Sequence, residues 1–285
     1  MSKELDLIKS DKYLNDFFIR NNLSDAYLEN NKNKLLRIYK SRSLCNGCRG
    51  LYICKQSTNG QRLDLRYDGV LIDEIENCPY ALPNIRKENF IKSYSYCDIP
   101  TNLIDINLDN IKPTSNQEEL YVRLRKIVEG NNKGLYIYGN NGSGKTYLCI
   151  ALANSLVLKK QKVAFVKVTN FIKDMKSYIA DRSALFDINM NTLQKCNYLI
   201  LDDIGCEAVS EFVRDDILFT ILDYRLENKL TTIFTSNRDK ANLEEHYTYD
   251  RKNNSDAINA RRLMVRIDNL ADDYVLSGKD MRREY

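Results

Sequence analysis

The sequence predicts an α/β protein: a parallel sheet flanked by helices, preceded by a small, mainly helical module that carries four cysteines. Short apolar runs alternate with helical stretches along the second part of the chain, an order typical of a parallel sheet covered on both faces. These predicted strands lie at residues 134–138, 163–168, 197–202 and 231–235. Four of the eight cysteines fall between residues 45 and 78, ahead of that pattern.

The first module is predicted to span residues 1–95. Between residues 4 and 40, apolar side chains recur at roughly helical spacing and Asn-rich joints interrupt them, which indicates two or three amphipathic helices. The stretches "RLDLRYDG" and "VLIDEIENCPY" then alternate between apolar and polar side chains, as short strands do. Residues 96–117 hold two of the four prolines and little periodicity, so we predict a connector, with the second domain over residues 118–285.

Composition and charge exclude several classes of protein. With 43% hydrophobic and 29% charged residues the chain is ordinary for a globular protein, so disorder is not expected. The formal net charge of +4 is too small to indicate nucleic-acid binding by itself. No apolar run approaches the roughly 20 residues that span a bilayer, and the polar start lacks the apolar segment of a secretion signal. We therefore expect a cytoplasmic protein without a membrane partner.

A glycine-rich loop opens the second domain. The stretch "GNNGSGKT" fits the pattern G-x-x-x-x-G-K-[ST], follows the first predicted strand and precedes an apolar helical run. Its glycines let backbone N–H groups turn towards the phosphates of ATP at the helix N-terminus. We expect Lys145 to reach the β- and γ-phosphates and the Thr146 hydroxyl to bind Mg²⁺. The predicted nucleotide-binding residues of the loop are Gly139, Asn140, Asn141, Gly142, Ser143, Gly144, Lys145 and Thr146.

Polar residues follow two further predicted strands. Asp202 and Asp203 lie at the carboxyl end of a strand, where parallel sheets bind ligands. Asp202 is predicted to bind Mg²⁺, and Asp203 to orient or deprotonate the attacking water. Asn237 follows the last of these strands and is predicted to hydrogen-bond the γ-phosphate or its water, with an ordinary Asx turn as the alternative.

Two arginines stand four residues apart in "INARRLMVRIDNL". This spacing places Arg262 and Arg266 on one face of a helix. An arginine held across a subunit interface stabilises charge on a transferred phosphoryl group, so the pair is a candidate for that role in a homo-oligomer. A solvated basic face is the alternative.

Six stretches within residues 98–285 resemble, in order and spacing, the AAA+ ATPases of the DnaC/DnaI type. These are the bacterial replicative helicase loaders, and the IstB transposition helpers are more distantly similar. The six stretches are "GNNGSGKT", "VAFVKVTNFIKDMKSYI", "LILDDIG", "TIFTSN", "ARRLMVRI" and "LSGKDMRREY". The DnaI branch also carries an N-terminal zinc-binding module that docks on the helicase, so the resemblance extends across nearly the whole chain.

The resemblance implies a role for each matching residue. By position, Walker A falls on Lys145 and Thr146, Walker B on Asp202 and Asp203, sensor 1 on Asn237, and the arginine finger on Arg266 with Arg262 as its neighbour. Sensor 2 would be Arg282 or Arg283, and we assign it to Arg283 as a nucleotide-binding residue. Many AAA+ proteins have Asp-Glu where this chain has Asp-Asp. The shorter second side chain is expected to hold water less closely, which predicts slow, switch-like ATP hydrolysis.

A helix after the second predicted strand presents Lys173, Lys176 and Tyr178 close together. In loaders of this type the corresponding region helps to grip single-stranded DNA. Lysines on phosphates and an aromatic ring for stacking suit that role. In the alternative, the apolar side of the helix faces the core and the lysines are simply solvated.

The spacing C-x₂-C-x₅-C-x₂₃-C brings four soft ligands into the first module. The residues are Cys45, Cys48, Cys54 and Cys78, and tetrahedral Zn²⁺ is the common structural solution for such a set. The one histidine, His246, lies in the second domain, so a structural rather than catalytic zinc is predicted. Related loaders can use a histidine in this module, which leaves Cys54 or Cys78 open as a ligand. The alternatives are unligated thiols and a redox dithiol. The redox dithiol requires a thioredoxin-like context, which the first module does not show.

These observations predict an ATP-dependent helicase loader. It would bind a DnaB-type replicative helicase through the zinc module and help deliver it to single-stranded DNA during initiation or restart of replication, together with other primosome proteins. Three alternatives stay open: an IstB-like transposition helper, a metabolic P-loop kinase, and a nucleotide-gated adaptor without useful hydrolysis. The cysteine module disfavours the first of these, and the arginine pair with no evident lid disfavours the second.

Overall fold

The computed structural model describes residues 3–131, 133–250 and 254–278 of the chain. It divides into two units, Met1–Glu88 and Asn89–Tyr285. The boundary that the sequence predicted, at residue 95, falls inside the second unit. Among the residues that the structure describes, no helix is both long enough and apolar enough to cross a membrane.

The first unit consists of short helices and one hairpin. Its elements are α1 (Lys3–Lys9), α2 (Lys12–Arg20), α3 (Asp25–Asn30), α4 (Lys32–Ser43), β1 (Gln61–Tyr67), β2 (Leu71–Asn77) and the start of α5 (Leu82–Ile91). Strands β1 and β2 form at the two stretches predicted to be short strands, and they pair antiparallel. Four helices stand where two or three were expected, because the side chains of Asp11 and Ser24 accept hydrogen bonds from backbone N–H groups and begin new helices.

An apolar cluster holds the first unit together. It brings one face of each of the four helices against the hairpin, and its buried members are Leu5, Ile8, Leu14, Phe17, Phe18, Leu28, Leu35, Ile38, Leu65 and Leu71. The first unit therefore has an apolar core of its own.

Over its described residues the second unit is a six-stranded sheet flanked by helices, which confirms the predicted fold class for this part of the chain. Its strands are β3 (Tyr96–Cys97), β4 (Gly134–Tyr138), β5 (Val163–Lys167), β6 (Tyr198–Asp202), β7 (Thr231–Ser236) and β8 (Ala271–Val275). All neighbours pair parallel, in the order β3-β5-β6-β7-β4-β8. The four predicted strands form the centre of the sheet, and the two edge strands were not predicted.

Helices cover both faces of this sheet. They are α6 (Glu118–Val128), α7 (Lys145–Leu158), α8 (Val168–Ala180), α9 (Leu185–Lys195), α10 (Thr220–Glu227), α11 (Lys240–Thr248) and α12 (Ala257–Leu270). A π-helical segment, Phe212–Phe219, continues directly into α10. Each face of the sheet has its own buried apolar cluster, one with α6 and α7 and the other with α8 to α12.

Residues 96–117, predicted as a connector, pack instead into the core of the second unit. Their buried apolar side chains are Ile99, Ile104, Leu108 and Ile111. The side-chain amide of Asn154 on α7 donates hydrogen bonds to the carbonyl oxygens of Leu103 and Ile106, at 3.1 and 2.6 Å. The segment follows no helical or strand period, so its burial could not be recognised from spacing.

Both edges of the sheet are short or charged. Strand β3 is two residues long. Strand β8 exposes Asp272 and Asp273, which form ion pairs with Lys133 and Lys240. At the centre of the sheet, β4, β6 and β7 are neighbours, so their carboxyl ends bring the glycine-rich loop, Asp202 and Asn237 to one place.

Candidate nucleotide-binding site

The glycine-rich loop joins β4 to the 14-residue helix α7. Gly142 and Gly144 have φ angles of 79° and 95°, in the left-handed region that glycine adopts without strain. At Gly139 a Cβ atom would stand 2.2 Å from the carbonyl oxygen of Leu276, so a larger residue does not fit. The loop therefore places backbone N–H groups at the positive end of a helix, the arrangement that binds phosphate.

Lys145 lies at the base of this loop. Its ammonium group donates to the carbonyl oxygens of Gly139 and Asn140, at 2.8 and 2.9 Å, and to Oδ1 of Asn237, at 3.0 Å. The residue is 5% exposed. The structure thus brings together two residues that the sequence assigned to ATP phosphates and that are far apart along the chain.

The two predicted magnesium ligands are also in contact. The Thr146 hydroxyl donates to Oδ1 of Asp202 at 2.8 Å. Burial raises the pKa of the Asp202 carboxyl above its ordinary value, while the Thr235 and Thr146 hydroxyls that donate to it act in the opposite direction. A threonine hydroxyl and a carboxylate at the mouth of a phosphate loop are oxygen ligands of the kind Mg²⁺ uses.

Thr235 is a residue of this site that the sequence analysis missed. Its hydroxyl donates to Oδ1 of Asp202 at 2.7 Å and accepts from the backbone N–H of Asp203 at 2.9 Å. Asp203 has a φ angle of 58°, so the chain turns sharply after Asp202 and the Thr235 contact supports that turn. The spacing of Thr235 could have identified it. Thr235 lies two residues before Asn237, and side chains two positions apart along an extended chain point to the same face.

The predicted arginine finger lies on α12 and contacts its own chain. Nε of Arg266 donates to Oδ1 of Asp223 at 2.9 Å, and its guanidinium lies 4.5 Å from the centre of the Phe219 ring. Arg262 lies over the same ring at 4.7 Å, so the two arginines share a helix face as predicted. The catalytic role of Arg266 stays a prediction. The two tail arginines predicted for sensor 2, Arg282 and Arg283, lie outside the described residues.

Two of the three predicted DNA-contacting residues are exposed, and the third is partly buried. Lys173 and Lys176 point to solvent from α8. Tyr178 is partly buried and packs against the core on that face of the sheet. The lysines are thus available to a phosphate backbone, while the ring of Tyr178 is only partly available for stacking.

All four cysteines of the first unit line one cavity of about 130 Å³. The side-chain amide of Gln56 donates to Sγ of Cys45 at 3.1 Å and to the carbonyl oxygen of Ser41 at 2.6 Å. Backbone N–H groups of Gly60 and Gln56 lower the pKa of the Cys54 thiol. Even so, within the described ranges no group of three or more His, Cys, Asp or Glu side chains is drawn together closely enough to hold a metal ion.

Comparisons with known proteins agree with this site. A family model described as "IstB-like ATP binding protein" matches residues 122–267, just over half of the chain. The replicative helicase loader DnaI of Bacillus subtilis (strain 168) is 28% identical over 267 residues, covering 91% of this chain and 85% of that protein. The replicative helicase loader DnaC of Escherichia coli (strain K12) is 28% identical over 126 residues, covering 43% of this chain and 50% of that protein.

A solved structure gives the same result for the fold. The crystal structure of DnaI superposes with a TM-score of 0.56 at 28% sequence identity, covering 68% of this chain and 98% of that one. The glycine-rich loop, Asp202 and Asn237 lie inside the range of the matching family model. The chain therefore belongs to the family of IstB-like ATP-binding proteins, and within it resembles the AAA+ ATPases of the DnaC/DnaI type.

Proposed function

We propose that this protein is an ATP-dependent helicase loader. It binds a DnaB-type replicative helicase through the cysteine-bearing first unit and helps deliver it to single-stranded DNA during initiation or restart of replication. One observation carries the proposal: the likeness to the Bacillus loader covers 91% of the chain, so it includes most of the first unit as well as the ATPase. The transposition helper is the weaker candidate, because the IstB-like match is confined to residues 122–267.

ATP and Mg²⁺ are the cofactors of the second unit. In this proposal the loop residues from Gly139 to Gly144 hold the phosphates, Lys145 neutralises their charge, and Thr146 with Asp202 binds Mg²⁺. Bound Mg²⁺ would draw charge from the β- and γ-phosphates. Asn237 already contacts Lys145 and so stands where it can sense the γ-phosphate. Arg266 would act on the nucleotide of a neighbouring copy, after exchanging Asp223 for phosphate.

Hydrolysis is expected to be slow and switch-like. Asp203 is the candidate for orienting water, and its short side chain follows a left-handed backbone turn. The turn fixes the position of the Asp203 backbone. From that backbone, an aspartate carboxylate extends one methylene group less far than a glutamate carboxylate. A nucleotide-gated adaptor, which binds ATP without useful hydrolysis, differs from this proposal only in rate. A turnover number comparable to that of a processive motor would contradict the slow, switch-like assignment.

We propose Zn²⁺ as a structural ion in the cavity lined by the four cysteines, where binding would have to draw the thiols closer together than they lie in the structure. The donor set suits it, because four thiolates form the usual closed tetrahedral site. Hydrogen bonds from N–H groups to Cys45 and Cys54 are of the kind that stabilise thiolates. Bound zinc would cross-link the turn after α4, which carries Cys45 and Cys48, to Cys54 and to Cys78 at the end of β2. This cross-link would add to the stability that the small apolar core provides.

A double substitution of ligands tests the zinc and the docking role together. In the full-length chain, Cys45→Ser with Cys48→Ser is expected to lower zinc content from about one equivalent to a small fraction of one, because half the ligands are lost. Co-purification with the cognate replicative helicase is expected to disappear with it. Metal analysis and pull-down measure the two results.

The exposed Cys206 provides the matched control, since Cys206→Ser is expected to keep both zinc and helicase. Wild-type protein with under about half an equivalent of zinc would contradict the metal assignment. A zinc-free variant that captures helicase as well as wild type would contradict the docking role of the first unit.

Single-stranded DNA is the partner we assign to the exposed side of α8. Reversing two charges with Lys173→Glu and Lys176→Glu is expected to weaken DNA affinity at low salt by about tenfold or more, because phosphate contacts are replaced by repulsion. Fluorescence anisotropy with a labelled oligonucleotide measures it. The control pair, Lys159→Glu with Lys160→Glu, changes two exposed lysines just after α7 and is expected to have a much smaller effect. Unchanged affinity in the α8 variant would refute this interface.

A further inference from the structure

A buried glutamine outside the glycine-rich motif contacts the phosphate loop. Gln117 precedes the first turn of α6, and its side-chain amide donates to the carbonyl oxygen of Ser143 at 3.1 Å. Gln117 and Ser143 are each 4% exposed, so water does not compete for this hydrogen bond. A polar side chain so completely buried, with its donor aimed at the backbone of the loop, has a specific role there.

The other end of the same amide is fixed. Oε1 of Gln117 accepts from the backbone N–H of Thr114 at 3.1 Å, and the Gln117 N–H donates to the Thr114 carbonyl at 2.8 Å. Leu120 and Leu124 of the following helix are completely buried. The side chain is therefore clamped between a turn and an anchored helix, and it can hold the loop rather than follow it.

The contact determines the direction of a phosphate-binding group. In a trans peptide unit the C=O and the following N–H point to opposite sides of the chain. Both neighbours of Ser143, Gly142 and Gly144, are glycines with left-handed backbone angles. Glycine has little conformational preference of its own. Holding the Ser143 carbonyl towards Gln117 consequently turns the Gly144 N–H away from Gln117.

Ser143 itself gives no competing anchor. Its hydroxyl oxygen is buried and has no hydrogen-bond partner in the structure. The backbone carbonyl is thus the group of Ser143 through which the loop is held from outside.

We infer that Gln117 is a positioning residue for nucleotide binding, which orients the Gly144 N–H towards the β-phosphate by holding the carbonyl of Ser143. The inference rests on the proposed nucleotide site and adds to it a residue 22 positions before Gly139, the first glycine of the motif. It assigns to Gln117 an effect on phosphate affinity that a residue needed only for folding would not have.

Equilibrium binding of a fluorescent ADP to the full-length chain with Mg²⁺, displaced by ADP or by AMP, tests it. Gln117→Met keeps the bulk but removes donor and acceptor, and is expected to weaken ADP binding by about tenfold. AMP has no β-phosphate, so its affinity is expected to change by less than about twofold. Glu118→Gln, at the exposed neighbouring position, is the control and is expected to bind both nucleotides as wild type does.

Gln117→Glu is the second variant and separates the donor from the packing. It retains an acceptor for Thr114, but at pH 8 it presents a carboxylate oxygen to the Ser143 carbonyl, so ADP binding is expected to weaken. Affinity should recover as the pH is lowered to 6, because a protonated carboxyl donates again. This variant decides the question if Gln117→Met does not fold.

Two results overturn the inference: ADP affinity unchanged in both variants, or equal losses for ADP and AMP. Failure of the wild-type protein to bind the fluorescent ADP would remove the proposed nucleotide site itself, and so is distinguishable from either.

Discussion

Replacing Lys145 with methionine is expected to lower ATP turnover by about 10²–10³-fold, the loss seen when one preorganised donor to a developing negative charge is removed. Lys145 is 5% exposed, and its ammonium is already held by Gly139, Asn140 and Asn237. To bind phosphate, the ammonium must exchange at least one of these three contacts, because it has only three N–H donors. Methionine has similar length and leaves α7 intact, so the effect should appear in turnover and nucleotide affinity rather than in folding.

Steady-state phosphate release, with nucleotide affinity measured in parallel, checks this result. Lys159→Met is the matched control, since Lys159 is exposed just beyond the other end of the same helix. Turnover within about threefold of wild type in Lys145→Met would mean that the loop is not the site of hydrolysis.

The second large effect concerns stability. Arg225 on α10 is completely buried, and its guanidinium donates to the carbonyl oxygens of Leu193, Cys196 and Thr231, at 2.8, 2.8 and 2.6 Å. Burial lowers the pKa of this guanidinium, but arginine retains its charge in proteins. Arg225→Met would fill much of the space and leave those carbonyls without their donor.

We expect the free energy of unfolding of the second unit to fall by about 3–5 kcal/mol, because three buried carbonyl oxygens lose a donor and each group left unsatisfied costs about 1–3 kcal/mol. Urea denaturation followed by circular dichroism measures it. The control is Arg261→Met, whose side chain is 60% exposed, with an expected change within about 0.5 kcal/mol. A loss below about 1 kcal/mol in Arg225→Met would show that water replaces the missing donor.

The parts of the molecule that the sequence predicted are those with local patterns. The four central strands are apolar runs beside helical stretches, and the glycine-rich loop is specified by eight consecutive residues. Lys145 belongs to the loop motif after β4, Asp202 ends β6 and Asn237 directly follows β7, so all three could be assigned from the carboxyl ends of predicted parallel strands.

The parts that were missed depend on contacts distant in sequence. Arg225 looks like any arginine of an amphipathic helix, and only the fold brings the end of α9 to it. Gln117 and Thr235 act through hydrogen bonds to residues 26 and 33 positions away. Strand β8 alternates charged and apolar residues weakly, and β3 is too short to give a pattern.

The edges of the sheet restrict how copies of this protein can assemble. A strand edge invites another chain to add a strand, and acidic side chains or very short strands discourage it. Here β8 carries two exposed aspartates and β3 offers two residues. Extension of the sheet from one copy to the next is therefore disfavoured. Copies that assemble into a ring or filament would therefore contact one another through helix faces and loops. Each sheet would then stay rigid, and movement would occur at the contacts between copies.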